Sequence, residues 1–421
     1  MSLREELNLF PDTATIREPT DLKLEVTRIL KEDEERLVHF RNLAGHEAVG
    51  NLWATRARIC RGLGVSKEEL PSALLEAIRN PIPEKSVEAA DFLQGEVRDF
   101  DLRKALPAPH WYPEEPGRYL TSSLVAAEWE GKRNLSYHRM LLLDERRMVA
   151  RIVPRHLRAM TDAALKEGGE LPVAILIGAP LPVLLAGAVS LGYESDELRI
   201  AAALSEATRE QPLEAVRLAN GISVPADCEF VLEGRITGEV HEEGPFVDGT
   251  GTYDKVREEP IFVMDRLYLR PDALYHLILS GGQEHHQLMG MPREPLIHEA
   301  VTRVVPHVTG VRLTEGGSSW LHGVVGIRKQ HEGDGKNAIL AALSGHTSMK
   351  RVVIVDEDVD LYDDRDVEWA LATRFQADRD LVVIEGAKGS SIDPSAGETT
   401  AKMGLDATKP LGRPKFDRPA L

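Results

Sequence analysis

Residues 229–254 read EFVLEGRITGEVHEEGPFVDGTGTYD. The stretch opens as a strand on Phe230, Val231 and Leu232, then meets a bend built on Gly244, Pro245, Gly249 and Gly251. Two carboxylates, Glu243 and Asp248, bracket Gly-Pro-Phe-Val in that bend. A chain that kinks this sharply can turn both acids into one pocket, as acid–base chemistry requires. The plain alternative is a solvated surface turn.

The chain around this stretch has 421 residues, enough for roughly two or three domains. Its apolar content of 42% fits a globular protein. A net charge of −17 excludes a phosphate-backbone binder, which needs basic patches, so no nucleic-acid partner is expected. With only Cys60 and Cys228, neither a disulfide framework nor a cysteine metal site can be built, and a cytoplasmic location is expected. The first ten residues, MSLREELNLF, lack the cationic start and apolar core of a secretory leader. Residues 171–193 run 23 positions without a charge, long enough to cross a bilayer. Gly178-Ala-Pro180 and Pro182 break that run, however, and non-helical backbone facing lipid is too costly. A buried strand, a turn and a buried helix are expected there, with no membrane span.

The chain reads as mixed α/β (α+β). Residues 1 to about 100 form a small α/β unit: amphipathic over 21–35, strand-like over 37–40 and helical over 55–63. Ser66 and Glu69 make a capping box for a helix that ends at Asn80-Pro81. A proline- and aromatic-rich connector over 107–117 marks a boundary. From about Tyr119 to Gly282, short β-type runs at 137–143, 173–177, 230–232 and 261–269 suggest a barrel-like middle domain with inserted helices. The last third alternates strands (324–327, 352–355, 381–384) with helices (336–343, 366–375), a second α/β unit. The tail after Thr408 is expected to be extended. Several motif look-alikes fail. Thr302 stands where a zinc protease helix starting at His298-Glu299 needs its second histidine. No strand-linked Gly-x-Gly-x-x-Gly appears, against a nicotinamide dehydrogenase. Asp356-Glu-Asp-Val-Asp360 lacks the twelve-residue calcium loop and reads as a solvated strand end.

Asn134-Leu-Ser-Tyr-His-Arg139 precedes a strand, His156 follows in Val153-Pro-Arg-His, and Glu197 begins a helical pattern. Asparagine, histidine and glutamate offer O, N and O donors, a set suited to Mn²⁺ or Mg²⁺. Each also has a plain reading as a turn residue, a satisfied polar group or a helix-face charge. Taken in order, Asn-x4-Arg, Pro-x-His, Glu-x3-Ala-x-Ala-Leu, Glu-Gly-Pro-Phe-x-Asp and Lys402-Met-Gly-Leu-Asp-Ala-Thr408 resemble the UbiD-type decarboxylase family. The resemblance extends to His46-Glu47 with Asn51-Leu52, and to residues 351–360.

That resemblance implies a flavin-reductase-like split β-barrel (residues 106–300) between N-terminal (1–105) and C-terminal (301–421) α/β domains. It implies prenylated FMN, supplied by a flavin prenyltransferase, with Mn²⁺ and often K⁺ at the cofactor phosphate, and a homo-oligomer, dimer or hexamer. Carried over by position, Asn134, His156 and Glu197 would ligate the divalent ion. Asn134, Ser136, Arg139, His156 and Lys402 would face the cofactor, Lys402 at its phosphate. Arg139, Glu243 and Asp248 would form the catalytic network. In the family reaction the modified flavin adds to an α,β-unsaturated acid, CO₂ leaves, and an acid protonates the remaining carbon. The residue chemistry agrees: the planar fork of Arg139 suits a substrate carboxylate and also Glu243. An ordinary aspartate is protonated roughly once in a thousand at pH 7, so Asp248 as donor requires an apolar pocket, with Phe246 and Val247 its expected lining. The chain departs from the usual pattern at Val247, Gly249 and the triple alanine after Glu197, which bears on pocket shape and substrate preference. Members act on aromatic acids, polyprenyl hydroxybenzoates, cinnamic-type acids and, in archaea, trans-anhydromevalonate 5-phosphate, which gives isopentenyl phosphate. This chain resembles the compact archaeal branch, so the last substrate is expected, with Arg293, His285 and His286 in a connecting loop as candidate phosphate partners. An aromatic or polyprenyl-4-hydroxybenzoate-type acid is the alternative within the family, and a flavin-binding redox protein the alternative outside it.

Overall fold

The computed structural model describes residues 1–416. The chain divides into two compact units, Met1–Leu288 and Met289–Leu421.

The centre of the first unit is an entirely antiparallel nine-stranded sheet. Its path runs Tyr119–Leu120, Met140–Leu142, Arg147–Ala150, Arg257–Leu269, Phe230–Glu243, Leu171–Ile177, Leu124–Trp129 and Lys132–Tyr137, with Glu96–Val97 added to Arg257–Leu269. The sheet curls as a half-barrel around Val173, Ile175, Ile177, Leu232, Ile236 and Phe262, all fully buried. Curling demands local breaks in register, and the long pair Phe230–Glu243 and Arg257–Leu269 carries two of them, at Glu233/Gly234 and Ile236/Val240. At the first break only glycine fits, because a Cβ on Gly234 would stand 2.2 Å from the carbonyl oxygen of Val263. The uncharged run over 171–193 becomes the buried strand Leu171–Ile177, a turn at Gly178 and the short buried helix Leu181–Ala186. Among the described residues, no helix is long and apolar enough to cross a membrane.

A four-stranded sheet joins Ala14–Ile16, Val38–Leu43, His46–Gly50 and Leu274–Leu277. Its last strand leaves the half-barrel and runs parallel to His46–Gly50, which ties the N-terminal segment into the first unit. Ser66 and Glu69 exchange the two hydrogen bonds of the capping box, at 2.9 and 3.2 Å.

The second unit is a five-stranded sheet in the order Val308–Leu313, His322–Ile327, Arg351–Asp356, Thr400–Asp406 and Leu381–Ala387. The middle three strands are parallel and the outer two antiparallel. Helices Glu294–Thr302 and Asp334–Gly345 pack on one face, and Asp364–Arg374 on the other.

Asn134 precedes the strand Met140–Leu142 as expected, but itself lies in a further strand, Lys132–Tyr137. Three expectations change. Residues 283–290 form the helix Gln283–Gly290 in place of a connecting loop. Asp356 does not end a strand in solvent: it is buried and pairs at 2.8 Å with the buried Arg374, which also binds Asp358 at 2.7 Å. The tail forms a short 3₁₀ turn, Pro414–Phe416, and the rest of the expected extended segment lies outside the described residues.

Candidate active site

Two polar clusters share one strand. In Lys132–Tyr137 alternate side chains point the same way, so Asn134 and Ser136 fall on one face. Glu197, the first residue of the helix Glu197–Arg209, comes against them, and its Oε2 accepts from the Leu135 amide at 3.0 Å and from Asn134 Nδ2 at 3.5 Å. His156 opens the helix His156–Lys166 and places Nδ1 3.9 Å from Glu197 Oε1. Burial pushes the Glu197 carboxyl up to about 7, against the hydrogen bonds it accepts. Burial also pushes His156 down. A buried carboxylate with an imidazole and an amide oxygen fits a hard divalent ion. Among the described residues no group of three His, Cys, Asp or Glu could hold a metal.

Ser136 and His138 extend the cluster beside the Asn134 oxygen. His138 Nδ1 lies 3.0 Å from the Arg151 carbonyl, which only accepts, so Nδ1 carries the hydrogen. Its Nε2 is then an acceptor for the Ser136 hydroxyl at 3.0 Å. That hydroxyl also lies 2.9 Å from Asn134 Oδ1, a second acceptor that its one hydrogen can serve.

Arg139 follows the same strand and sits in a second cluster. Its Nε and one terminal nitrogen bind Glu243 side-on, both at 2.9 Å, and Glu243 is fully buried. The remaining terminal nitrogen donates to Asp248 at 2.7 Å, and the Glu243-facing one also reaches Asp254 at 3.0 Å. Arg151 donates to Asp248 at 3.3 Å and contacts Asp254, while Arg257 holds Asp254 through two bonds of 2.9 Å. The bend is a small hairpin in which Phe246–Val247 pairs with Tyr253–Asp254 and the Asp248 amide donates to the Thr252 carbonyl. Gly244, with φ 95°, lets the chain enter it. The ring of Phe246 lies under the Arg139 guanidinium at 4.7 Å and against Tyr119 at 4.6 Å. Phe246 and Val247 are buried, but the Asp248 carboxylate they were expected to insulate is held by two guanidinium groups.

Three guanidinium groups thus face three carboxylates. Burial pushes Asp254 up, but Arg257, Arg139 and Arg151 outweigh it and hold its carboxyl at about 2. Glu243 has no exposed side-chain surface, whereas Asp248 keeps 19% of its own. Asp248 is therefore the acid of the three that reaches open space. Every terminal nitrogen of Arg139 already has an acid partner, so a substrate carboxylate must displace Asp248 or Asp254 to reach it.

Asn134, Ser136, His156 and Glu197 come together, as do Arg139, Glu243 and Asp248. Lys402 belongs to the second unit, where it is buried and donates to the Thr347 and Met349 carbonyls. The sequence reading missed Arg151, Asp254, Arg257, His138 and Glu115. His285 accepts from the Gly281 amide at 3.1 Å, and burial with its neighbour His286 pushes it down to about 4, so it offers no cation to a phosphate. His286 donates to the Gly249 carbonyl at 2.7 Å.

Comparison with known proteins matches this architecture along the chain. The N-terminal, Rift-related and C-terminal domain profiles of 3-octaprenyl-4-hydroxybenzoate carboxy-lyase match residues 10–78, 85–283 and 286–407. The anhydromevalonate phosphate decarboxylase of Methanocaldococcus jannaschii is 43% identical over 419 residues, covering 96% of each chain. Its counterpart from Methanothermobacter thermautotrophicus is 41% identical, covering 97% of this chain and 96% of its own. Gallate decarboxylase of Lactiplantibacillus plantarum is 30% identical over 85% of this chain and 78% of its own. Among solved structures, the UbiD-class enzyme HmfF from Pelotomaculum thermopropionicum in complex with FMN has a TM-score of 0.96 at 34% identity, covering 100% of this chain and 97% of its own. An evolved dimeric form of HmfF, solved with prFMN, has a TM-score of 0.92 at 33% identity and the same coverage. With the profiles spanning most of its length and these relatives aligned nearly end to end, the chain belongs to the UbiD family of decarboxylases.

Proposed function

We propose that this protein is a prenylated-FMN-dependent decarboxylase that converts trans-anhydromevalonate 5-phosphate to isopentenyl phosphate and CO₂. The observation that carries the substrate is the nearly full-length likeness, above 40% identity, to archaeal enzymes bearing that name. Asn134, His156 and Glu197 would hold Mn²⁺ or Mg²⁺ for the cofactor phosphate. When bound, the prenylated flavin supplies the electron sink that makes loss of CO₂ from an unsaturated acid feasible. The enzyme is proposed to work as a homo-oligomer in the cytoplasm, with a flavin prenyltransferase supplying its cofactor.

The protein's own residues manage charge and the proton. The carbon that loses CO₂ must gain one proton. A fourth carboxylate entering a buried cluster of three cations and three anions is unfavourable unless the cluster takes up a proton. Asp248, the most exposed acid, is the group that takes it. Once neutral, it releases a terminal nitrogen of Arg139 for the substrate carboxylate and stands ready to protonate the carbon. Glu243 keeps Arg139 oriented through its two parallel bonds.

The substrate assignment is tested by kcat/KM for a panel of acids on enzyme co-produced with a flavin prenyltransferase. The phosphorylated pentenoate should exceed gallate and 4-hydroxybenzoate by at least about 10⁴-fold, the discrimination that polar recognition can reach. Equal turnover of a hydroxybenzoate would overturn the substrate and leave the decarboxylase standing. Glu197→Ala should lose metal and flavin together with the fold intact by circular dichroism. Full metal and flavin content in that variant would refute the ligand set.

A further inference from the structure

The connector that precedes the half-barrel contributes to the site from outside it. Glu115 is buried, at 4% exposure, and its two carboxyl oxygens accept from two backbone amides. One is Tyr112 at 3.1 Å, within its own segment. The other is Val247 at 3.3 Å, the residue immediately before Asp248. The hairpin register explains why that amide is available. The Asp248 amide bonds across to Thr252, so the adjacent pair Val247 and Tyr253 is a non-hydrogen-bonded one, and the Val247 amide points away from its partner strand. The same residue is gripped from its other end: Ser280 Oγ donates to the Val247 carbonyl at 2.5 Å, and the Tyr112 hydroxyl donates to the Ser280 carbonyl at 3.1 Å. Tyr119 adds a third hold, its hydroxyl accepting from the Gly244 amide at 3.2 Å.

We propose that Glu115 is a positioning residue for the decarboxylation: by fixing the Val247 amide it sets where the Asp248 carboxyl stands against Arg139 and Arg151. This rests on the reading of Asp248 as the proton donor. One oxygen holds the Val247 amide and the other the Tyr112 amide, so the carboxylate ties the connector to the residue just before Asp248. Glutamine in its place keeps one acceptor and turns an NH₂ group toward the other N–H, whereas aspartate keeps both acceptors on a shorter stem.

The test is a double-mutant cycle on the cofactor-loaded enzyme, with hydrogen exchange on the same proteins. Glu115→Gln should lower kcat by about tenfold to a hundredfold, the penalty of a small misplacement, with KM changed by less than about twofold and flavin and metal content unchanged. Glu115→Asp should recover part of that loss. In the Asp248→Asn background, Glu115→Gln should cost less than a further twofold or so, because it acts through a group already disabled. Amide exchange over residues 244–254 should quicken by roughly tenfold in Glu115→Gln while the half-barrel strands keep their protection. Equal losses in both backgrounds, or unchanged exchange over 244–254, would overturn the positioning role. Wild-type turnover by Asp248→Asn alone would instead overturn the proton-donor reading on which it rests.

Discussion

Arg139 meets three carboxylates, and the sequence points clearly to two of them. Glu243 and Asp248 stand out because a short glycine–proline bend separates them. Asp254 closes the same stretch, yet linear spacing does not reveal that the hairpin lays it opposite Phe246, within 3.0 Å of Arg139. Arg151 is hidden for a similar reason: it follows the strand Arg147–Ala150, and sheet pairing decides which way its side chain turns. His138 was in plain view beside Arg139, but its role depends on one carbonyl. It bonds the Arg151 backbone while the Arg151 side chain bonds Asp248, so the imidazole links the Asn134–Ser136 cluster to the acid cluster. Burial pushes His138 down to about 4 from its ordinary 6.5. The folded protein therefore binds fewer protons than the unfolded chain between those values. The stability from keeping this ring neutral is complete above about pH 6.5 and is lost as pH falls toward 4, amounting to about 2 kcal/mol at pH 5. Urea midpoints at pH 7 and pH 5 should thus separate more for wild type than for His138→Gln. Equal separation would mean that the ring is not held neutral.

The strand Phe230–Glu243 was visible only at its start. Phe230, Val231 and Leu232 are apolar and buried, but Gly238 to Glu242 are exposed, so no alternation marks the far half. Backbone pairing with Arg257–Leu269 carries the strand to Glu243 and so delivers that acid to Arg139. Curvature depends on the bulge at Gly234. Gly234→Ala should destabilise the protein by about 1–3 kcal/mol, since the 2.2 Å approach to the Val263 carbonyl can be relieved only by moving backbone. A urea midpoint equal to wild type would show that the sheet has slack there. The helix Gln283–Gly290 escaped the sequence reading because its inward side is polar: Glu284 is fully buried, accepting from the Trp53 amide at 2.9 Å and lying 2.8 Å from the ring of the fully buried His276. An apolar-periodicity argument cannot see a helix anchored by a carboxylate.

Across the whole molecule, alternating strands and helices made the second unit legible, because a parallel sheet covered on both faces repeats a plain pattern. The acid run at Asp356 was misread because its partner, Arg374, lies on a later helix that folding alone brings near. The family is legible for another reason. Its motifs keep their order along the chain, and those within the first unit bring their residues into two clusters, while Lys402 lies in the second unit. In the proposed function, this architecture exchanges a carboxylate for a proton on a phosphorylated unsaturated acid. The most direct test is to supply cofactor-loaded enzyme with trans-anhydromevalonate 5-phosphate in D₂O and follow the product by NMR. The account predicts isopentenyl phosphate with one deuterium on the carbon that bore the carboxylate, formed about 10²–10⁴-fold more slowly by Asp248→Asn at equal flavin content. Recovery of the intact acid, from enzyme that releases CO₂ readily from a hydroxybenzoate, would contradict it.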